Sequence, residues 1–377
     1  MKKEKSYQGI EVGPIRPPSE ADSLMLRVTR NCPWNRCKFC GLYKGKKFSI
    51  RSVKDVKQDI DMIKTHIDRI KDAGPQALTT MMHTMSKNDL ASFHVAVNWY
   101  SGGMTSVFLQ DANTLIVKPD EIVEILTHLR EQFPQIQRIT SYARSHTIAR
   151  ISDDDMGRLA AAGLNRVHVG MESAADDVLV FVKKGVDKKT HIKAGQRIKR
   201  VGIELSEYFM PGLGGTEYSR VNALETADAL NQINPDFIRI RTLAVTDFSE
   251  LAKDMKDGCF TPLNDVETAR ELLLFLEHLD GITSQIKSDH ILNLFQEIDG
   301  KLPHAKDMMT ITIKRFLNMT AQDQMMYRIG RRTGIFSRLK DLEDPRLLAQ
   351  AQQAKERYGV TLDNLDKFTD AMIKQFI

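Results

Sequence analysis

Three cysteines fall within nine residues, Cys32-Pro-Trp-Asn-Arg-Cys37-Lys-Phe-Cys40, and only Cys259 lies elsewhere in the 377-residue chain. A closed zinc site takes four Cys/His ligands, and a closed iron–sulfur cluster takes four thiolates. Three thiolates on one short loop grip three corners of an iron–sulfur cube and leave the fourth iron open, where a substrate or cofactor can bind. The cysteines are too few and too clustered for a disulfide framework, so in a reducing compartment the spacing reads as metal binding. The alternative is a zinc site completed by Cys259 or a histidine; no second cysteine pair supports it.

Composition narrows the class. Hydrophobic content of 42% and charged content of 27% are ordinary for a soluble globular protein. The length suits one large α/β domain or one domain with an appendage. A net charge of +5 is too mild to argue for nucleic acid. No apolar run reaches membrane-spanning length, and Met1-Lys-Lys-Glu-Lys5 leads into no apolar segment, so a cytoplasmic protein without a membrane partner is expected. The 17 methionines read mainly as core filling.

Residues 1–23, with Gly13-Pro14 and Pro17-Pro18, read as an extended lead-in. Leu24–Arg30 is a β-prone run ending at the cysteine loop, and Val56, Ile60, Ile63, Ile67 and Ile70 recur at helical spacing over 53–73. Residues 75–103 are Met-rich and read as an insertion. Strand-like runs then appear at Ser106–Leu109, Arg138–Tyr142, Arg166–Gly170, Ile203–Phe209 and Phe237–Leu243, with helical patterns between them. Six βα units imply a parallel sheet with right-handed crossovers. Six are too few for an eight-stranded barrel, so an α/β fold is expected, a partial (β/α)6 TIM-like barrel over 24–250. From about 265 the pattern turns helical, including His290–Glu297, which reads as a C-terminal helical appendage over 251–377.

Functional groups of βα barrels gather at the C-terminal ends of the strands. The cysteine loop, Leu109-Gln-Asp-Ala-Asn113, Ser141-Tyr-Ala-Arg144, Gly170-Met-Glu-Ser173 and Met210-Pro-Gly-Leu-Gly-Gly215 each follow a predicted strand, and Arg239 and Arg241 lie near the end of the sixth. Every strand thus delivers something polar or glycine-rich to one rim.

With those segments in place, the chain resembles the radical S-adenosylmethionine (SAM) enzymes over roughly 24–245. Thr29-Arg-Asn-Cys32 through Cys37-Lys-Phe-Cys40 resembles the family's cluster loop. Phe108–Asp111, Ala143-Arg144, Gly170–Ser173, Lys184-Gly185 and the glycine-rich run resemble a series found, in this order, in the branch of methylthiotransferases and cobalamin-linked members. The usual cysteine spacing is three residues then two; here it is four then two. The resemblance implies that Cys32, Cys37 and Cys40 hold a [4Fe–4S] cluster and that SAM chelates the open iron. Reductive cleavage then gives a 5′-deoxyadenosyl radical that abstracts hydrogen from substrate. It also implies an oxygen-sensitive protein with an external electron donor such as flavodoxin or ferredoxin.

The resemblance assigns SAM contacts to Phe39, Asp111, Asn113, Arg144, Glu172, Ser173, Gly212, Gly214 and Arg241. Glu172 would face the ribose hydroxyls, with a structural salt bridge to Arg144 or Arg241 as the alternative. Asp111 and Asn113 would meet the methionine amine, or else cap a helix. Arg144 would pair with the carboxylate, and Phe39 would lie beside adenine or simply pack in the core. The glycines would permit close backbone approach or positive φ.

Outside the barrel, Ser288-Asp-His290 reads as a helix start with Asp289 as N-cap rather than a catalytic base. The basic run Arg328–Arg332 reads as a solvated helix face rather than an RNA patch. Cys259 reads as a bystander thiol. One cysteine cannot hold an auxiliary cluster, and nothing before the first strand resembles a cobalamin domain. Oxygen-independent coproporphyrinogen oxidase has a fourth nearby cysteine, whereas Gly41 follows Cys40 here. A small-molecule substrate is therefore expected, with no catalytic side chain assigned. An RNA-modifying radical enzyme and a non-catalytic cluster or zinc carrier are the other classes.

Overall fold

The computed structural model describes residues 7, 9–74 and 85–375. Ten strands occur among them: β1 (Leu24–Arg27), β2 (Thr29–Arg30), β3 (Ser49–Ile50), β4 (Ser106–Gln110), β5 (Arg138–Ala143), β6 (Arg166–Glu172), β7 (Glu204–Phe209), β8 (Phe237–Ile240), β9 (Gln285–Lys287) and β10 (Gly300–Lys301). Eight form one sheet in the order β1-β4-β5-β6-β7-β8-β9-β10, and β2 and β3 form a separate ladder. Pairing is parallel for β1–β4, β4–β5, β5–β6, β7–β8 and β8–β9. In this sheet β10 runs antiparallel to β9. Helices Val53–Ala73, Pro119–Gln132, Asp153–Ala161, Lys188–Arg200 and Gly215–Ile233 separate the parallel strands. This is the expected α/β class, extended by two strands. β9 and β10 span three and two residues, below the length at which alternation can be recognised.

The chain divides into two compact units. The first comprises Met1–Asn35, Leu42–Val169 and Arg197–Leu205. In it Ser52 caps the helix Val53–Ala73 by accepting the Asp55 N–H at 3.1 Å. Its stripe Val56, Ile60, Ile63, Ile67 and Ile70 is fully buried, worth about 1.5–3 kcal/mol per side chain before entropy. Residues 75–84 of the expected insertion lie outside the described residues, but Lys87–Ser101 is a regular helix. It packs on the first helix, His66 Nε2 lying 2.9 Å from Ser92 Oγ. Trp99 donates to the Ser106 carbonyl at 2.8 Å, tying it to β4.

Two expectations for this unit are corrected. Leu24–Arg30 is not one strand: it breaks at Val28, whose carbonyl accepts the Arg51 N–H at 3.0 Å, and continues as β2 paired with β3. The lead-in is not merely extended either. It carries a 3₁₀ turn at Pro18–Glu20, and Glu20 is fully buried, accepting Ser23 Oγ at 2.6 Å.

The second unit comprises Arg36–Gly41, Gly170–Gln196 and Ser206–Ile377. Phe209 of β7 stacks on Phe275 of the helix Asp265–Glu277 at 4.1 Å between ring centres. Phe295, Phe316, Tyr327 and Phe336 form an aromatic core among the later segments. The expected helix at His290–Glu297 is absent; the segment is irregular. Asp289 caps nothing and instead accepts Arg239 Nη1 at 2.9 Å. The basic run is not solvated: Arg328, Arg331 and Arg332 are 4%, 8% and 4% exposed. Arg331 alone donates to the carbonyls of Asn293, Leu294 and Phe336. Among the described residues no helix is long and apolar enough to cross a membrane.

Candidate functional site

The cysteine loop begins in the first unit, where β2 and β3 clamp the ends of the 31–48 excursion, Thr29 opposite Ile50 and Arg30 opposite Ser49. Asn31 and Asn35 take left-handed backbone, φ 66° and 47°, a conformation Asn tolerates better than most residues. The Asn35 N–H points at Cys32 Sγ, 3.4 Å away. In the second unit, the Lys38 N–H donates to the Val182 carbonyl at 2.9 Å, and the Lys38 carbonyl accepts the Leu251 N–H at 3.0 Å. Lys38 Nζ pairs with Asp254 at 2.7 Å. The Cys40 N–H meets the Cys37 carbonyl at 3.3 Å in a tight turn. Within each unit the loop backbone is therefore held by its own hydrogen bonds.

Cys32, Cys37 and Cys40 are half-buried, and no disulfide joins any of the four cysteines. Among the described residues no three His, Cys, Asp or Glu side chains converge on a single ion. A cube takes one thiolate per iron corner, so its ligands need not converge. Three soft donors, one already receiving an N–H, fit such a cluster in kind and number. Cys259 is exposed, with Sγ 3.8 Å from the Asp257 carbonyl.

Two clusters of expected site residues are now placed, one in each unit. In the first, Asp111 is fully buried with φ 72°. Its carboxylate accepts Arg27 Nε at 2.7 Å, the Asn31 N–H at 3.0 Å and Tyr43 Oη at 3.0 Å. It therefore anchors the start of the cysteine loop. Asn113 makes no side-chain cap; its Oδ1 accepts the Arg144 N–H at 3.0 Å and its Nδ2 donates to Thr147 Oγ1 at 2.8 Å. Arg144 lies over the Trp34 ring of the cysteine loop, 5.0 Å from its centre, a cation–π contact.

In the second, Glu172 ends β6 with φ 68°. Its ion partner is Lys184, Oε1 to Nζ 3.6 Å, rather than Arg144 or Arg241. Its Oε2 is buried with no hydrogen-bond partner among the described residues. Lys184 Nζ also lies 5.5 Å from the Phe39 ring centre, and Phe39 packs on Ala175, Val178, Val182, Met210 and Leu213. Ser173 is buried and accepts the Ala175 N–H at 3.0 Å. Gly212 has φ 87°, which only glycine adopts without strain. At Gly214 a Cβ would meet the Tyr218 backbone at 2.9 Å. Arg241 is exposed, its N–H on the Phe209 carbonyl at 2.9 Å. Burial, then the Arg241 charge, push the His290 imidazole down to about 4.

Two carboxylates here were missed from the sequence. Glu271 sits beneath Gly212, and Glu207 on β7 is 1% exposed with neither oxygen partnered among the described residues. Burial first, then the Glu172 charge, push Glu207 well above 4.5, with Lys184 opposing. A raised folded pKa gives stability that is full below the unfolded value and lost as pH rises through the folded one. Glu207→Gln is therefore expected to melt with wild type at pH 4 and increasingly above it toward pH 9, read by circular dichroism. Strand alternation alone would mark Glu207 only as a polar letter in a β run.

A buried Glu172 oxygen with no hydrogen-bond partner among the described residues, a positive-φ glycine turn and three half-buried thiols are each of a kind that a metal-anchored polar cofactor uses. The radical SAM superfamily model matches residues 26–227, over half of the chain. Two curated relatives are named tRNA uridine(34) acetyltransferase. The one from Methanocaldococcus infernus is 27% identical over 31% of this chain and 22% of its own length. The one from Methanocaldococcus jannaschii is 25% identical over 34% and 24%. The chain thus spans under a quarter of the length of these relatives. A solved structure of archaeal M. infernus Elp3 with an N-terminal deletion is 19% identical, covers 56% of this chain and 54% of its own, and has a TM-score of 0.42. On the family match, the chain belongs to the radical SAM superfamily of enzymes, whose members bind a [4Fe–4S] cluster and SAM.

Proposed function

We propose that this protein cleaves SAM reductively and uses the product to abstract hydrogen from an organic substrate. Cys32, Cys37 and Cys40 would hold the cluster, with Phe39, Arg144, Glu172, Ser173, Gly212, Gly214 and Arg241 around SAM. Asp111 and Asn113 act behind them, through the cysteine loop and the Arg144 backbone. Residues 24–250 supply the catalytic barrel and 251–377 a mostly helical support. A reduced cluster bound there would supply the single electron that breaks the sulfonium C5′–S bond of SAM and releases methionine. The chain's own residues orient the cofactor and keep quenchers away.

The observation that carries this reading is the cysteine loop, three thiols on a backbone pinned by Asp111, Val182 and Leu251. Anaerobic reconstitution with iron and sulfide, then dithionite and SAM, is expected to yield 5′-deoxyadenosine. A fully loaded, reduced protein that makes none, with or without candidate substrates, would reject the reading. Glu172→Gln is expected to weaken SAM binding about tenfold, since its one unpartnered oxygen is a free acceptor for a hydroxyl. Equilibrium dialysis against labelled SAM checks this, and unchanged affinity would remove Glu172 from the site.

A second reading, modification of RNA, is favoured by the names of the two curated relatives. The buried arginines of 328–332 lend it no surface. Deoxyadenosine formation stimulated by tRNA, and not by RNA-free extract metabolites, would select it. The cytoplasm, where a flavodoxin or ferredoxin can supply the electron, is the proposed location.

A further inference from the structure

The glycine-rich turn is held from below by a residue outside the stretch matched to the family. Glu271, on the helix Asp265–Glu277, is 2% exposed. Its Oε1 accepts the Gly212 N–H at 3.0 Å and Asn222 Nδ2 at 2.7 Å, and its Oε2 accepts Ser219 Oγ at 2.6 Å. Asn222 Nδ2 also reaches the Met210 carbonyl at 3.3 Å. Both ends of Met210–Gly212 are thereby tied to one carboxylate and the amide beside it. Gly212 sits at φ 87° with Gly215 at φ 58° three residues on. Backbone bonds hold the turn at Met210 (to the Glu172 carbonyl, 2.8 Å), Pro211 (from the Leu243 N–H, 3.0 Å) and Gly215 (to the Gly212 carbonyl, 3.0 Å). The Gly212 N–H has Glu271 as its acceptor among the described residues, so removing that carboxylate loosens the turn at Gly212.

We propose that Glu271 is a positioning residue that fixes the Met210–Gly215 turn in the shape that receives SAM. The proposal rests on the reading of Gly212 and Gly214 as SAM contacts. Burial raises the Glu271 carboxyl to about 7, with Ser219, Gly212 and Asn222 pulling it down. The charged residues of the packed elements are not among the causes of that shift: neither Glu217, Arg220, Glu225 and Asp228 on the helix Gly215–Ile233, nor Asp265, Glu267, Arg270 and Glu277 on its own helix, nor Lys306, Asp307, Lys314 and Arg315 on the helix Lys306–Leu317, nor Arg328 and Arg332, which pair with Asp265. Glu271 thus changes charge near neutrality. The ionised form grips the Gly212 N–H and the Asn222 amide more firmly, because charge-assisted hydrogen bonds are the stronger ones. SAM affinity should therefore rise with pH through about 7.

The test uses reconstituted holoprotein, with amide exchange of the peptide spanning 210–219 and equilibrium dialysis against SAM at pH 6 and pH 8. Glu271→Ala is expected to speed exchange and weaken SAM binding, each about tenfold. Glu271→Gln keeps an acceptor for Gly212, so it should restore wild-type values at pH 6 and abolish the extra gain at pH 8. Unchanged exchange in Glu271→Ala would overturn the proposal, and so would faster exchange with unchanged SAM affinity. Wild type that fails to bind SAM while its 210–219 amides stay protected would overturn the SAM reading of the turn, a different failure. Loss of protection across the whole chain in Glu271→Ala, not rescued by Glu271→Gln, would show a merely structural role and also overturn it.

Discussion

Cys37→Ala is expected to lower 5′-deoxyadenosine formation at least about a hundredfold, or about 2.7 kcal/mol of barrier. Cys32→Ala and Cys40→Ala should behave alike, because each removes one of only three thiolates and leaves a corner of the cube unheld. Cys259→Ala should change nothing: its thiol is exposed, and its hydrogen bond goes no farther than the Asp257 carbonyl. Iron and sulfide analysis with chromatography of the nucleoside reads both effects, and far-ultraviolet circular dichroism checks that the fold survives. The loop's backbone is held at Asn31 by Asp111 and at Lys38 by Val182 and Leu251, ties that a Cys→Ala change leaves in place, so a folded variant is expected. Full product from Cys37→Ala, or its loss in Cys259→Ala, would reject the ligand set.

Asp265→Ala should be the most destabilising single change in the second unit, by about 3–5 kcal/mol. The Asp265 carboxylate is buried and accepts Arg328 Nε at 3.0 Å while also pairing with Arg332. Arg328 reaches Asp366 and Thr369 as well. Truncation leaves Arg328 with Asp366 and strands the buried Arg332 guanidinium, which among the described residues keeps the Leu292 carbonyl at 2.7 Å in place of its charge partner. Burial alone would raise the Asp265 carboxyl, but Arg332 and Arg328 outweigh it and hold it below 3.8. Its contribution is thus present above the unfolded value and lost as pH falls through the lower folded one. Urea denaturation at pH 7 should show the full loss, and the gap should close only in strong acid. A loss under about 1 kcal/mol would mean that the network is worth no more than an exposed ion pair.

Much of the parallel α/β sheet was legible because its signals are local. The Ile60–Ile63–Ile67–Ile70 stripe needs only helical spacing, and it is buried as that spacing requires. The segments at the strand ends could be ordered because a βα repeat fixes which end of each strand follows which loop. The misses share one cause. Ser288-Asp-His290 looks like a helix start, but Arg239, far away in sequence, takes the aspartate. Arg328, Arg331 and Arg332 look solvated because nothing local announces Asp265 or the carbonyls of 292–294. Asp111, read as a SAM contact or else a helix cap, has donors that only the fold brings to it: Arg27, Asn31 and Tyr43.

The sequence by itself determined the superfamily and the α/β class, since motif order and the strand–helix period are properties of neighbouring residues. Only the tertiary structure decided which polar groups stay available. It tied Asp111 to the cysteine loop, left one oxygen of Glu172 and both of Glu207 buried with no hydrogen-bond partner among the described residues, and brought Glu271 to the Gly212 N–H across 59 positions. A carboxylate's role depends on the donors and the water that reach it, and long-range packing sets both.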